Sequence, residues 1–74
     1  MARTEVESEV TGNVWKIEVK PGEKVEADDV LMILESMKME IPVEAPCAGT
    51  VSEILVAEEE AVEEDQIVAI IESE

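Results

Sequence analysis

Apolar and polar residues alternate from Asn13 to Val19. Val14, Ile17 and Val19 are apolar among polar neighbours, with one slip at Trp15-Lys16. The stretch Thr50–Val56 follows the same pattern. Two further stretches, VLMILES (Val30–Ser36) and IVAIIES (Ile67–Ser73), are short continuous apolar runs rich in branched residues. A period of two predicts half-buried strands, and short apolar runs between turn signals predict buried ones. Lys20-Pro21-Gly22-Glu23 is a turn by its Pro-Gly dipeptide. Gly12 and Gly49 mark tight corners or bulges. Ile41–Pro46 carries two prolines, which suits an edge strand and excludes a helix. Only Glu58–Asp65 has a helix-like composition.

The pattern occurs twice. Residues 4–36 laid over residues 41–73, an offset of 37, give 13 identities in 33 ungapped pairs. Gly12 meets Gly49, Val14 meets Val51, Ile17 meets Ile54, and Glu35-Ser36 meets Glu72-Ser73. The helix-like segment pairs with the turn segment Pro21–Asp28, so it reads as a loop. Two copies are too few for a solenoid. A closed pair about a pseudo-two-fold axis fits them. The fold class is therefore all-β, with about eight short strands in two packed antiparallel sheets or a flattened barrel.

Composition narrows the function. A chain of 74 residues makes one domain, 1–74, with little interior for a deep catalytic pocket. Phe and Tyr are absent and Trp15 is the sole aromatic, so the core is Val, Ile, Leu, Met and Ala. A formal charge of −15 repels phosphate backbones and anionic lipid, which argues against nucleic-acid and membrane partners. The polar N-terminus has no secretory pattern, and no apolar run could span a bilayer. With one cysteine there is no internal disulfide, and a cytoplasmic address is expected. One cysteine and no histidine cannot build a zinc site, and Cys47 lacks a base to make it a nucleophile. Cys47 pairs with Val10 in the repeat and reads as a small apolar corner residue. The acidic runs lack calcium-loop spacing and read as solvated faces. Trp15 reads as partly buried packing or as cover for an exposed apolar patch. No catalytic residue and no metal ligand is expected, and the isolated chain should be a monomer.

At the junction of the copies stands ESMKME, residues 35–40, of which 37–40 lie between them. Lys38 stands at the tip of the hairpin, 37–40, that joins the halves. The pseudo-symmetry sends both termini to the far end of the domain. A two-residue hairpin turn needs positive φ at both positions and favours Asn-Gly or Asp-Gly. Met37-Lys38 suits it poorly, and local rules fail most often where function requires it. A lysine at a tip can be a mere solubilising charge, and methionines can be core filler. The conjunction weighs against both. The lysine lies between two methionines, at the junction of a duplicated β unit, in a chain with five basic residues against twenty acidic ones.

These residues resemble the biotinyl domain family. Met37-Lys38-Met39 between duplicated β halves is most similar to small free-standing biotin/lipoyl attachment proteins of bacteria and to the carrier domain of biotin-dependent carboxylases. Val19–Val25 is similar to the family's Val-x-x-Gly-(Asp/Glu)-x-Val turn, and Ala45–Val51 to its Ala-Pro-x-x-Gly-x-Val corner. The resemblance runs from about Thr4 to Glu72. It implies two four-stranded antiparallel sheets in a barrel-sandwich hybrid. It implies that Lys38 carries biotin through an amide made by a biotin protein ligase. It implies a biotin carboxylase and a carboxyltransferase as further partners, between which the biotin carries CO₂. It gives Met37, Met39 and Glu35 as recognition residues beside Lys38, the methionines also packing the tip against the domain. Lipoate is the alternative cofactor. Glu35 does not discriminate the two, because lipoyl domains often share it. They typically have Asp-Lys-Ala at the lysine, whereas this chain has Met-Lys-Met. The remaining alternative is an unmodified acidic interaction module.

Three departures from the family stand out. The chain has no Pro/Ala-rich linker region. Val25–Val30 leaves no room for the "thumb" of some relatives, so the module is thumbless. In the second copy the Pro-Gly turn has become Glu58-Glu59, which predicts a looser, strained or locally helical turn.

Overall fold

The computed structural model describes residues 2–73, and all of its regular structure is strand. The strands are β1 (Ala2–Glu7), β2 (Gly12–Ile17), β3 (Lys24–Val25), β4 (Val30–Ser36), β5 (Met39–Glu44), β6 (Gly49–Ile54), β7 (Ala61–Val62) and β8 (Ile67–Ser73). They form two four-stranded antiparallel sheets, ordered β1-β8-β6-β3 and β5-β4-β2-β7. Among the described residues neither sheet closes on itself, so the sandwich and not the flattened barrel is the architecture.

The 37-residue offset carries one sheet onto the other, strand for strand. It also carries the loop hydrogen bonds. Gly22 N–H donates to Val51 O at 2.7 Å, and Glu59 N–H donates to Val14 O at 2.7 Å. Asp28 N–H donates to Ala45 O at 2.9 Å, and Asp65 N–H to Ser8 O at 2.8 Å. The Glu23 carboxylate accepts from Lys20 N–H at 3.3 Å, and the Glu60 carboxylate from Ala57 N–H at 3.0 Å.

Four bulges explain where the sequence breaks its alternation. Trp15 in β2 and its counterpart Ser52 in β6 are extra residues in the ladder. Leu31 in β4 and Val68 in β8 are the second such pair. An extra residue shifts the phase of the pleat by one. The slip at Trp15-Lys16 is the first bulge. The second lets the adjacent residues Leu31 and Met32 both be buried, which makes VLMILES a continuous apolar run. The core between the sheets is aliphatic, with Val14, Leu31, Met32, Leu34, Val51, Val68 and Ile71 fully buried. Cys47 and Val10 pack partly buried against it, as small apolar corner residues.

β5, with Pro42, is an edge strand. Glu58–Asp65 is turn and short strand with no helix. Its turn is strained: Glu59 has φ of 71°, where its counterpart Gly22 has 93°. Trp15 is partly buried and stands outside the buried core cluster, with half of its surface open to solvent.

The topology separates the ends of the long axis, 37 Å against 19 and 18 Å across. Ala2 pairs with Ser73, so the first and last described residues lie side by side. From there β1 runs the length of its sheet and crosses through residues 8–11 to Gly12. Gly12 lies at the β4–β5 hairpin end, because its neighbour Asn13 pairs with Glu35. The hairpin tip and the Ala2–Ser73 pair therefore occupy opposite poles.

Candidate functional site

Ser36 pairs with Met39 and Glu35 with Glu40, which leaves Met37-Lys38 as a two-residue turn. Both turn residues are left-handed, with φ of 51° for Met37 and 68° for Lys38. Without glycine this conformation costs about 1–2 kcal/mol per residue. The surroundings hold it in place. The β4–β5 ladder brings the strand ends together. Ser36 Oγ donates to Thr11 O at 2.8 Å, and Thr11 Oγ1 accepts from Glu64 N–H at 3.1 Å. The tip is thus moored to two neighbouring loops. The counterpart of Thr11 is Ala48, which has no hydroxyl, so the hydroxyl half of this mooring exists only at the Lys38 pole.

The side chains at the tip face solvent. Met37 is 93% exposed and Met39 64%, so neither is core filler and Met37 does not pack the tip against the domain. Lys38 is exposed and enters none of the ion pairs among the described residues. Glu35 and Glu40 stand opposite one another beside it. Their counterparts in the second sheet are Glu72 and Arg3, whose guanidinium lies 3.8 Å from Glu72 and 3.3 Å from Glu53. One pole therefore has a neutralised cross-strand pair, and the Lys38 pole has two like charges.

The sequence-derived residues Glu35, Met37, Lys38 and Met39 all fall on this one hairpin. Sequence reasoning missed the Ser36–Thr11 mooring and an open, shallow cavity of about 300 Å³ nearby, lined by Asn13, Val14, Trp15, Glu35 and Glu59. The signal was the mismatch between the copies, Thr11 against Ala48 and Trp15 against Ser52. Among the described residues no cluster of three or more Cys, Asp and Glu side chains could hold a metal ion, and no helix is long and apolar enough to cross a membrane. What the tip can do chemically is offer an accessible primary amine, on a strained and hydrogen-bonded turn, to another protein's active site. That fits covalent attachment of an acyl cofactor.

Residues 2–71 match a family model described as "Biotin-requiring enzyme". The chain belongs to the biotinyl/lipoyl attachment family. Within that family it is 50% identical over 40 residues to the biotin/lipoyl attachment protein of Bacillus subtilis, covering 54% of this chain and 55% of that protein. It is 44% identical over 41 residues to the biotinylated protein TB7.3 of Mycobacterium tuberculosis, covering 55% and 58%. Its fold superposes on a segment of the Kluyveromyces lactis urea carboxylase with a TM-score of 0.90 and 38% identity, covering 96% of this chain and 6% of that one. The chain thus spans little more than half of the two bacterial relatives' length and a small part of the carboxylase.

Proposed function

We propose that this chain is a biotin carrier module of a biotin-dependent carboxylase, modified on Lys38. The observation that carries the reading is the presented amine: Lys38 sits in a strained, moored turn between two exposed methionines. The names of the relatives support biotin as the cofactor, and the match to a segment of a urea carboxylase supports the carboxylase setting.

Attachment needs a free amine within reach of a ligase. A lysine ammonium is not a nucleophile, so a biotin protein ligase must help remove its proton. The Lys38 Nζ then attacks the carbonyl of biotinyl-adenylate. A C–N bond forms, the C–O bond to the adenylate breaks, and AMP leaves. Met37 and Met39 give the ligase a soft apolar surface on either side of the amine, and Glu35 a charged edge. When bound, biotin supplies a ring nitrogen that carries CO₂ from a biotin carboxylase to a carboxyltransferase. The chain itself tethers: a flexible arm on a stiff turn keeps the cofactor at high effective concentration near both partner sites. It performs no catalysis alone. Lipoate is a second reading, favoured by the dual name of the Bacillus subtilis relative.

The test is intact mass after coexpression with a biotin protein ligase, with a lipoate ligase run in parallel. One biotinyl group is expected, and none in Lys38→Ala. A lipoyl group alone would move the chain to the second reading. A folded chain that accepts neither would leave an acidic interaction module and end the carrier proposal.

A further inference from the structure

Trp15 is the only aromatic residue of the chain, and it is 50% exposed. It is the extra residue of the β2 bulge, opposite the step between Leu34 and Ile33. Asn13 and Glu35 pair across β2 and β4 and are exposed, while Val14 and Leu34, the next pair, are buried. Asn13 and Glu35 thus share the outer face of the sheet. Glu59, from the strained turn, completes the rim of the shallow cavity they line with Trp15.

This cavity is within reach of Lys38. Trp15 lies about four residues down the sheet from Lys38 and one strand across, or about 14 Å at a rise near 3.3 Å and a strand spacing near 4.8 Å. A biotinylated lysine has eleven bonds from Cα to the ring, which at bond lengths of about 1.3–1.5 Å also spans about 14 Å when extended. The indole itself shortens the gap further.

We propose that the cavity is a docking site for the ring carried on Lys38, with the ring laid against Trp15. This rests on the biotin reading above. The ring is an amphipathic bicycle with two ureido N–H donors, one carbonyl acceptor and a thioether edge. Glu35 and Glu59 offer acceptors for the N–H groups, and the Asn13 amide can donate to the carbonyl. The indole face takes the apolar edge and the sulfur. A single exposed aromatic is unremarkable alone. Here it is ringed by matching polar groups and lies within one arm's length of the attachment point. Docking is intramolecular, so an effective concentration in the millimolar range lets even a site of about millimolar affinity stand half filled.

Trp15 is its own reporter, because no other side chain fluoresces in its range. The experiment compares acrylamide quenching of Trp15 in the unmodified chain, the biotinylated chain and Lys38→Ala after identical treatment. Intact mass of each sample is read first. The expected result is a quenching constant roughly twofold lower in the biotinylated chain, matching a half-filled site, and no change in Lys38→Ala. A chain proven by mass to carry biotin, but with Trp15 quenched as readily as before, overturns the docking site and leaves the carrier function standing. A sample whose mass shows no biotin fails at the earlier step.

Discussion

Glu59 has kept a glycine's backbone without the glycine. Its counterpart Gly22 has open space around it and a φ of 93°, and Glu59 adopts 71° in the same turn. The left-handed conformation costs a residue with a Cβ about 1–2 kcal/mol. Glu59→Gly removes that strain, and the greater freedom of glycine in the unfolded chain returns part of it. A net gain of about 0.5–1 kcal/mol is expected, read as a rise of a few degrees in melting temperature. A fall would mean that the carboxylate itself holds the turn. Met37 and Lys38 carry the same kind of strain, and their replacement by Asn-Gly would relieve it only by deleting the amine. These two turns differ in what the sequence revealed. The Met37-Lys38 turn was legible because turn chemistry names the residues it wants, and neither was there. At Glu58-Glu59 strain and local helix were both open, since glutamates favour helices and only the tertiary frame forces the turn.

At the scale of strands, two glycines allow the backbones to approach. A Cβ on Gly12 would lie 2.5 Å from the Glu35 carbonyl oxygen, and one on Gly49 would lie 2.5 Å from that of Glu72. Gly12→Ala and Gly49→Ala should each destabilise the domain by about 1–3 kcal/mol, the usual cost of overpacking. Gly49→Ala is expected to be the worse, because its Cβ also meets Ile71 Cγ2 at 2.7 Å. Urea denaturation checks both, and an unperturbed midpoint would mean that the strands can part freely. The cross-strand charges make a second test. Glu40 is the counterpart of Arg3, and it faces Glu35 where Arg3 faces Glu72. Glu40→Arg should add about 0.2–1 kcal/mol by replacing repulsion with attraction. A loss on denaturation would show that the like-charge pair is relieved in some other way. Strand number and the slip at Trp15 were readable from periodicity, and the edge position of Pro42 from proline's missing N–H. The choice of sandwich over barrel was not, because alternation reports which face is buried and is silent on whether a sheet closes.

At the scale of the molecule, charge sets the balance. Fifteen net negative charges share a body 37 Å long. At about 0.01 M salt the Debye length is about 30 Å, so nearly every carboxylate feels the others, and at about 0.1 M it is about 10 Å. The melting temperature should therefore rise with sodium chloride over this range, as screening removes self-repulsion. A melting temperature that falls would place more stability in the Arg3 and Lys16 ion pairs than their exposure allows.

The pairing of Ala2 with Ser73 has one more outcome. Ala2 and Ser73 stand side by side at the pole away from Lys38, so a domain bounded by them needs only one short gap in a host chain. The domain can be spliced into a loop of a larger protein as a cassette, its amine pointing outward, without either partner being rethreaded. Because Ala2 and Ser73 mirror Met39 and Ser36, the same geometry permits a circular permutant: the old ends joined by a short turn, new ones opened elsewhere, and the attachment hairpin left whole.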